Sequence, residues 1–239
     1  MKETFLEAKN IEVHYGGVKA LDNASISIDE GEIVALMGPN GAGKSTMLKA
    51  LFGLAPIFHG SVLIHGQEIS PEPVFMVKEK IAFVPQGRRV FKYLTVKENL
   101  MIGAYVERDK RIATERFKEV LEFFPMLKSK LKQKSGQLSG GQQQMVAIAR
   151  GLMTDPKLLI LDEPSLGLSP KITKEVFEKI KEINTEHKTA ILVVEHNLKS
   201  LLPIVDRAYV LDKGKVVHTG SGQEIIESNI LERVFLGRM

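Results

Sequence analysis

The chain contains no cysteine. Disulfides, thiolate nucleophiles and cysteine-based metal sites are therefore excluded. Long apolar runs are missing too, since no stretch approaches the ~18–20 residues needed to span a bilayer. The opening Met1-Lys2-Glu3-Thr4-Phe5 lacks the basic-then-apolar pattern of an export signal. Together these features predict a cytosolic protein whose dealings with a membrane go through partners. There is no internal repeat and no low-complexity tract. The net charge is only +4, from 33 Lys+Arg against 29 Asp+Glu, and it is spread thinly, which suits solubility better than nucleic-acid binding. The 239 residues are 44% hydrophobic and 26% charged, enough for a well-filled core in one large domain or two small ones.

The chain is organised around Gly38-Pro39-Asn40-Gly41-Ala42-Gly43-Lys44-Ser45-Thr46, which follows the apolar run Ile33–Met37 and precedes a helical segment. It fits G-x-x-x-x-G-K-[ST] in the strand, turn, helix context that the pattern requires. Glycines bring successive N–H groups close to an anion, and the helix N-terminus behind them adds partial positive charge. Lys44 is placed to reach the β- and γ-phosphates, and the Ser45 hydroxyl to ligate Mg²⁺.

Before this loop, Phe5–Ala8, Ile11–Tyr15 and Ala24–Ile28 read as short strands of an antiparallel sheet exposed on one face. Tyr15, ahead of Gly16-Gly17, is either an unremarkable strand-end residue or a flat ring for a base. After it, Met47–Leu54 continues as helix, Ser61–Gly66 returns as strand, and Pro71 and Pro73 punctuate a loop. Lys80–Val84 is a buried-strand candidate leading to Gln86. From 88 to 156 the periodicity turns helical: Thr95 caps Val96 onward, and Ile112, Phe117, Val120, Leu121 and Phe124 share a face until Pro125. This reads as a helical insertion into an α/β core, closed by the polar connector Gln133–Gln137.

Leu138-Ser139-Gly140-Gly141-Gln142 ends the insertion. Ser139 and Gln142 have capping-box spacing, which puts two poor helix formers in the first turn. Two explanations stand side by side: plain capping, or a ligand that approaches bare backbone at a second anion site. Lys157–Leu161 is a continuous apolar run of the kind buried on both faces of a parallel sheet, and Asp162-Glu163 stand at its end, where open α/β sheets bind ligands. The chemistry would use both, Asp162 holding Mg²⁺ together with Ser45 and Glu163 activating a water; a carboxylate pair that caps a turn is the structural alternative. Ile172, Val176, Phe177, Ile180 and Ile183 form a helical face, and Ala190–Val194 is another buried strand, leading to His196, a phosphate-sensing candidate. Ala208–Leu211 and Val216–His218 read as strands about a turn, and Glu224–Phe235 as an amphipathic helix.

In order, these elements resemble the nucleotide-binding subunit of an ATP-binding cassette (ABC) transporter over essentially the whole chain. The resemblance implies an α/β P-loop NTPase (RecA-like) core with an N-terminal antiparallel β subdomain, over residues 1–87 and 157–239, and an inserted helical subdomain over 88–156. By position, Tyr15 is similar to the adenine-stacking aromatic and Gly38–Thr46 to the phosphate cradle. Gln86 resembles the residue that contacts Mg²⁺ and the membrane subunits, Asp162 the Mg²⁺-site carboxylate, Glu163 the catalytic carboxylate and His196 the switch histidine near the γ-phosphate. Family subunits pair head to tail, so Ser139, Gly140, Gly141 and Gln142 would face ATP held by a second ATPase subunit. The implied setting is the cytoplasmic face of the inner membrane, with ATP/ADP and Mg²⁺ as ligands, two permease subunits as partners and an external solute-binding protein beyond them. No nucleic acid is expected. The family's usual Asp is replaced by Ser169, which points to altered communication across the pair or to a non-identical mate.

Val84–Phe91, Leu94–Leu100 and Glu163–Pro170 are more narrowly similar to the smaller ATPase of branched-chain amino acid importers, with urea or short-chain amide importers as near neighbours. Gln86 and His196 depart from that subfamily, many of whose members carry an acidic residue and Gln there. The competing class is a soluble ABC-type ATPase acting on DNA or ribosomes. Against it, only 51 residues separate Gln86 from Leu138, too few for a long coiled coil, and there is one cassette.

Overall fold

The computed structural model describes residues 3–196, 198–228 and 230–235. Met1 and Lys2 of the N-terminal reading, and Asn229 within the last amphipathic segment, lie outside the described residues.

Two long strands open the chain, β1 (Thr4–Tyr15) and β2 (Val18–Asp29). The sequence reading split β1 at Lys9-Asn10. The strand is instead continuous, because its register with β2 shifts between Ala8 and Ile11 and Asn10 takes up the irregularity at φ 53°. A bulge of this kind absorbs polar residues without ending the pairing. Next come β3 (Ile33–Met37), α1 (Lys44–Leu51), β4 (His59–Ile64) and β5 (Gln67–Ile69). A short α2 (Pro73–Lys78) follows where a loop was expected. Pro73 opens that helix rather than interrupting it, since the first helical position needs no amide proton.

β6 (Ile81–Val84) leads into the helical insertion: α3 (Val96–Gly103), α4 (Lys110–Phe123), α5 (Pro125–Lys128) and α6 (Gly140–Leu152). Thr95 caps α3 in a full capping box with Glu98, as the sequence indicated. The chain then returns through β7 (Leu158–Asp162), α7 (Pro170–His187), β8 (Ala190–Val194), α8 (Leu198–Leu201), β9 (Arg207–Asp212) and β10 (Lys215–Gly220). The closing amphipathic segment is two helices, α9 (Gly222–Glu227) and α10 (Ile230–Phe235), because Ser228 leaves the helix in an extended conformation.

Among the described residues the strands form two sheets. One is antiparallel, in the order β2-β1-β4-β5; the other runs β10-β9-β3-β8-β7-β6, parallel throughout except for β10. Every residue of β3, β7 and β8 is buried, as expected for strands covered on both faces. Val34, Leu36, Ile160 and Leu192 face α1 and the antiparallel sheet, while Ala35, Leu159, Leu161, Ile191 and Val193 face α6 and α7. The helical insertion shares this second core. With β3, β6, β7 and β8 parallel, their carboxyl ends lie along one edge of the sheet, and that edge holds the site.

Candidate functional site

β3 delivers the chain into the glycine-rich loop at Met37. Gly38, Gly41 and Gly43 have φ of 147°, 81° and 104°, conformations that side chains rarely adopt. Space enforces two of them. A Cβ on Gly38 would collide with the Leu211 carbonyl, and one on Gly43 would lie 2.9 Å from the Leu21 side chain and against the Ala20 carbonyl. The loop is thus clasped between β2 and the end of β9, and Gly214 N donates to Ala42 O at 3.0 Å from the following turn. The N–H groups of Gly41, Gly43, Lys44, Ser45 and Thr46 meet no acceptor among the described residues, and Gly43 offers no side chain to cap α1. Pro39, Asn40 and Ala42 complete the turn. Such an arc of free amides at a helix start is built for a phosphate.

Lys44 folds back over its own loop, with Nζ donating to Gly38 O at 2.8 Å and Pro39 O at 2.9 Å. It is only 6% exposed, and burial pulls its pKa below the ordinary lysine value, against the opposing influence of Glu163 and Asp162. The Ser45 hydroxyl donates to Asp162 Oδ1 at 3.0 Å. Burial raises the pKa of Asp162 and the neighbouring Glu163 charge adds to the rise, while Ser45, Lys49 and Lys44 oppose it. A hydroxyl and a buried carboxylate in contact are hard oxygen donors of the kind Mg²⁺ takes. No group of three or more acidic, His or Cys side chains converges as a metal cluster among the described residues.

Glu163 sits one residue beyond β7 at φ 47°, its N–H still paired to Val194 O at 2.9 Å. From this left-handed turn its carboxylate meets partners different from those of Asp162. Oε2 accepts from Gln86 Nε2 at 2.6 Å, and Oε1 lies 3.0 Å from His196 Nε2. The ends of β6, β7 and β8 thereby converge on one carboxylate, three contributions separated by up to 110 positions in sequence. Tyr15 stands at the tip of the β1–β2 hairpin, 47% exposed, on the same hairpin whose Ala20 and Leu21 wall the glycine loop.

At the start of α6 the capping reading is met. Ser139 and Gln142 form the capping box, with Ser139 N donating to Gln142 Oε1 at 3.1 Å and Gln142 N to Ser139 Oγ at 3.4 Å. The N–H groups of Gly140 and Gly141 meet no acceptor among the described residues. Among the described residues no hydrogen bond joins Ser139–Gln142 to the glycine loop.

Two residues at this edge carry geometry that the sequence reading assigned to neither. Glu195, buried, accepts from Ser165 N at 3.1 Å and His196 N at 2.8 Å and so ties the loop after Glu163 to the histidine. Its signal in the sequence was a charged residue directly after an unbroken apolar strand. Arg88 donates to Leu166 O and Gly167 O at 3.1 and 2.7 Å.

A parallel sheet with a P-loop at its central strand and a helical subdomain inserted before the Asp-Glu strand defines a P-loop ATPase of the cassette type. The chain belongs to the ABC transporter family, whose model matches residues 21–166. Over 233 residues it is 43% identical to BraG, the high-affinity branched-chain amino acid transport ATP-binding protein of Pseudomonas aeruginosa, spanning 97% of this chain and 99% of that relative. It is 40% identical to LivF of Archaeoglobus fulgidus, a probable branched-chain amino acid transport ATP-binding protein, over 97% of this chain and 98% of LivF. The dimeric post-hydrolysis structure of the cassette MJ0796, bound to ADP and Pi, superposes with a TM-score of 0.79 at 29% identity, covering 90% of this chain and 98% of that one. The ABC ATPase fold and nucleotide binding expected from the sequence are thereby established at the level of the family. No helix among the described residues is long and apolar enough to cross a membrane.

Proposed function

We propose that this chain is the ATP-hydrolysing subunit of an importer for branched-chain amino acids, working as one of a pair of cassettes beneath two permease subunits. The convergence of Lys44, Ser45, Asp162, Glu163, Gln86 and His196 at one sheet edge from four separate strands supports the hydrolytic part of this reading, and the likeness to BraG and LivF supports the substrate class. In this reading the free amides of Gly41 and Gly43–Thr46 grip the phosphates, Lys44 exchanges its two loop carbonyls for phosphate oxygens, and Tyr15 stacks on adenine. Ser45 and Asp162, with Gln86 nearby, would hold Mg²⁺, which when bound neutralises phosphate charge. Glu163, oriented by Gln86 and His196, takes the proton of the attacking water. A fixed carboxylate that needs no reorganisation is what general-base chemistry requires.

The open amides of Gly140 and Gly141, capped by Ser139 and Gln142, would complete the γ-phosphate shell of the partner's nucleotide. Each chain then holds half of two sites. A ligand that binds only the closed pair shifts the equilibrium toward closure, and hydrolysis removes that bias. The permeases would read the cycle through an open groove of about 680 Å³ that begins beside Gln86, where Phe91 and Tyr93 stand exposed. In this reading the chain works at the cytoplasmic face of the membrane, with an external binding protein delivering solute.

The test reconstitutes the chain with its permeases, its partner cassette and its binding protein in liposomes. Leucine, isoleucine or valine should stimulate ATP hydrolysis and accumulate inside. Stimulation by urea or short amides, with none by the amino acids, would replace the substrate reading.

A further inference from the structure

The glycine at position 140 has no backbone reason to be glycine. It lies in the first turn of α6 with no left-handed φ, where glycine is a weak helix former relative to alanine. What fills the space of its missing side chain is the Arg88 guanidinium: a Cβ on Gly140 would lie 2.8 Å from Arg88 Cζ and collide with Nη1. Gly167, on the loop after Glu163, is held to glycine by its left-handed φ of 66°, and its missing side chain leaves room for the same group, since a Cβ there would lie 2.8 Å from Arg88 Nη2. That nitrogen donates to the carbonyls of Leu166 and Gly167. Arg88 reaches this position from a left-handed backbone, φ 53°, in a non-glycine residue, a conformation that persists only where its surroundings over-determine it.

Three segments therefore meet on one side chain: the stretch following Gln86, the start of α6 and the loop following Glu163. Ser169, at the other end of that loop, makes no capping hydrogen bond. We infer that Arg88 is a positioning residue that keys the Ser139–Gln142 helix start to the catalytic-side loop, so that the helical subdomain and the core keep one relative orientation. The planar fork of arginine suits this task because one end can bond two carbonyls while its face lies on a bare glycine; a lysine offers a single compact donor. The consequence for the reaction is that the segment carrying Gln86 cannot shift without moving Gly140 and Gly167 with it.

The cysteine-free chain makes the test direct. Spin labels on Glu68→Cys in the antiparallel sheet and Lys118→Cys in α4, both exposed, report the subdomain distance. Arg88→Ala should broaden that distance distribution, and Arg88→Lys should restore it only in part. Gly140→Ala keeps the arginine but displaces it, and should broaden the distribution equally. Because both changes break one contact, adding Gly140→Ala to Arg88→Ala should cause no further loss of Tm. In the assembled transporter Arg88→Ala should lower kcat about tenfold by misplacing groups, with KM for ATP unchanged. An unaltered distance distribution, additive Tm losses, or a loss of turnover expressed wholly in KM would each overturn the assignment.

Discussion

Replacing Glu163 by glutamine removes a proton acceptor while leaving nearly every atom in place. Glu163 now receives Gln86 Nε2 on one oxygen and faces His196 Nε2 with the other. A glutamine keeps one acceptor and turns the other into a donor, and both neighbours can adapt: Gln86 by flipping its amide, His196 by changing tautomer. The cost to the fold is then about one charge-assisted hydrogen bond weakened to a neutral one, roughly 1 kcal/mol. The cost to the chemistry is far larger. Losing a positioned general base typically lowers turnover by 10²–10⁴, or about 2.7–5.5 kcal/mol of barrier. MgATP binding should survive, because the amides of Gly41 and Gly43–Thr46 and the Lys44 ammonium are untouched. The assay pairs steady-state phosphate release by the assembled transporter with equilibrium binding of a fluorescent ATP analogue. Turnover reduced by less than about tenfold would refute the role given to Glu163.

Asp162→Asn should stabilise the nucleotide-free chain and raise its Tm, while weakening MgATP binding. The reason is its burial, which raises the carboxyl pKa above 3.8. A carboxyl whose pKa is raised on folding disfavours the fold when ionised, so its penalty fades as pH falls through the raised value; a calorimetric pH series on wild type and Asp162→Asn should converge on acidification. Asn99→Ala should cost about 2–3 kcal/mol in a urea melt. This fully buried amide accepts from Phe91 N at 2.8 Å and donates to Phe91 O, Thr95 O and Ser135 Oγ, holding the segment that follows Arg88. Tyr15→Ala should weaken ATP binding by about 1 kcal/mol, close to fivefold, and erase any preference for adenine over other bases, read by competition with GTP.

Elements that depend on local chemistry were legible from residue order alone. Unbroken apolar runs marked β3, β7 and β8 as strands, with β7 and β8 as buried ones, because a strand covered on both faces needs no polar side. The Gly38–Thr46 spacing marked the phosphate loop, and Ser139 with Gln142 marked the start of α6, because caps and glycine turns are decided within a few residues. What fell short was also local in origin. The bulge at Asn10 was read as a break and Pro73 as loop, since a register shift and a helix-opening proline become visible only once the partner strand or the following turn is in place.

Contacts between distant residues emerge from the folded arrangement of the sheet. The parallel order β3-β8-β7-β6 sets the ends of four strands along one edge, and that is what brings Gln86 and His196 onto the same carboxylate. Hairpin packing decided that Gly38 and Gly43 are glycine for want of space as well as for φ. The glycine at 140 is the clearest case. Capping and ligand approach both explained it from the sequence, yet a third cause, the Arg88 guanidinium, comes from a segment 52 positions earlier that only the folded chain brings against it. Local spacing fixes how a backbone can turn; which side chain then occupies the space it leaves is a matter of packing.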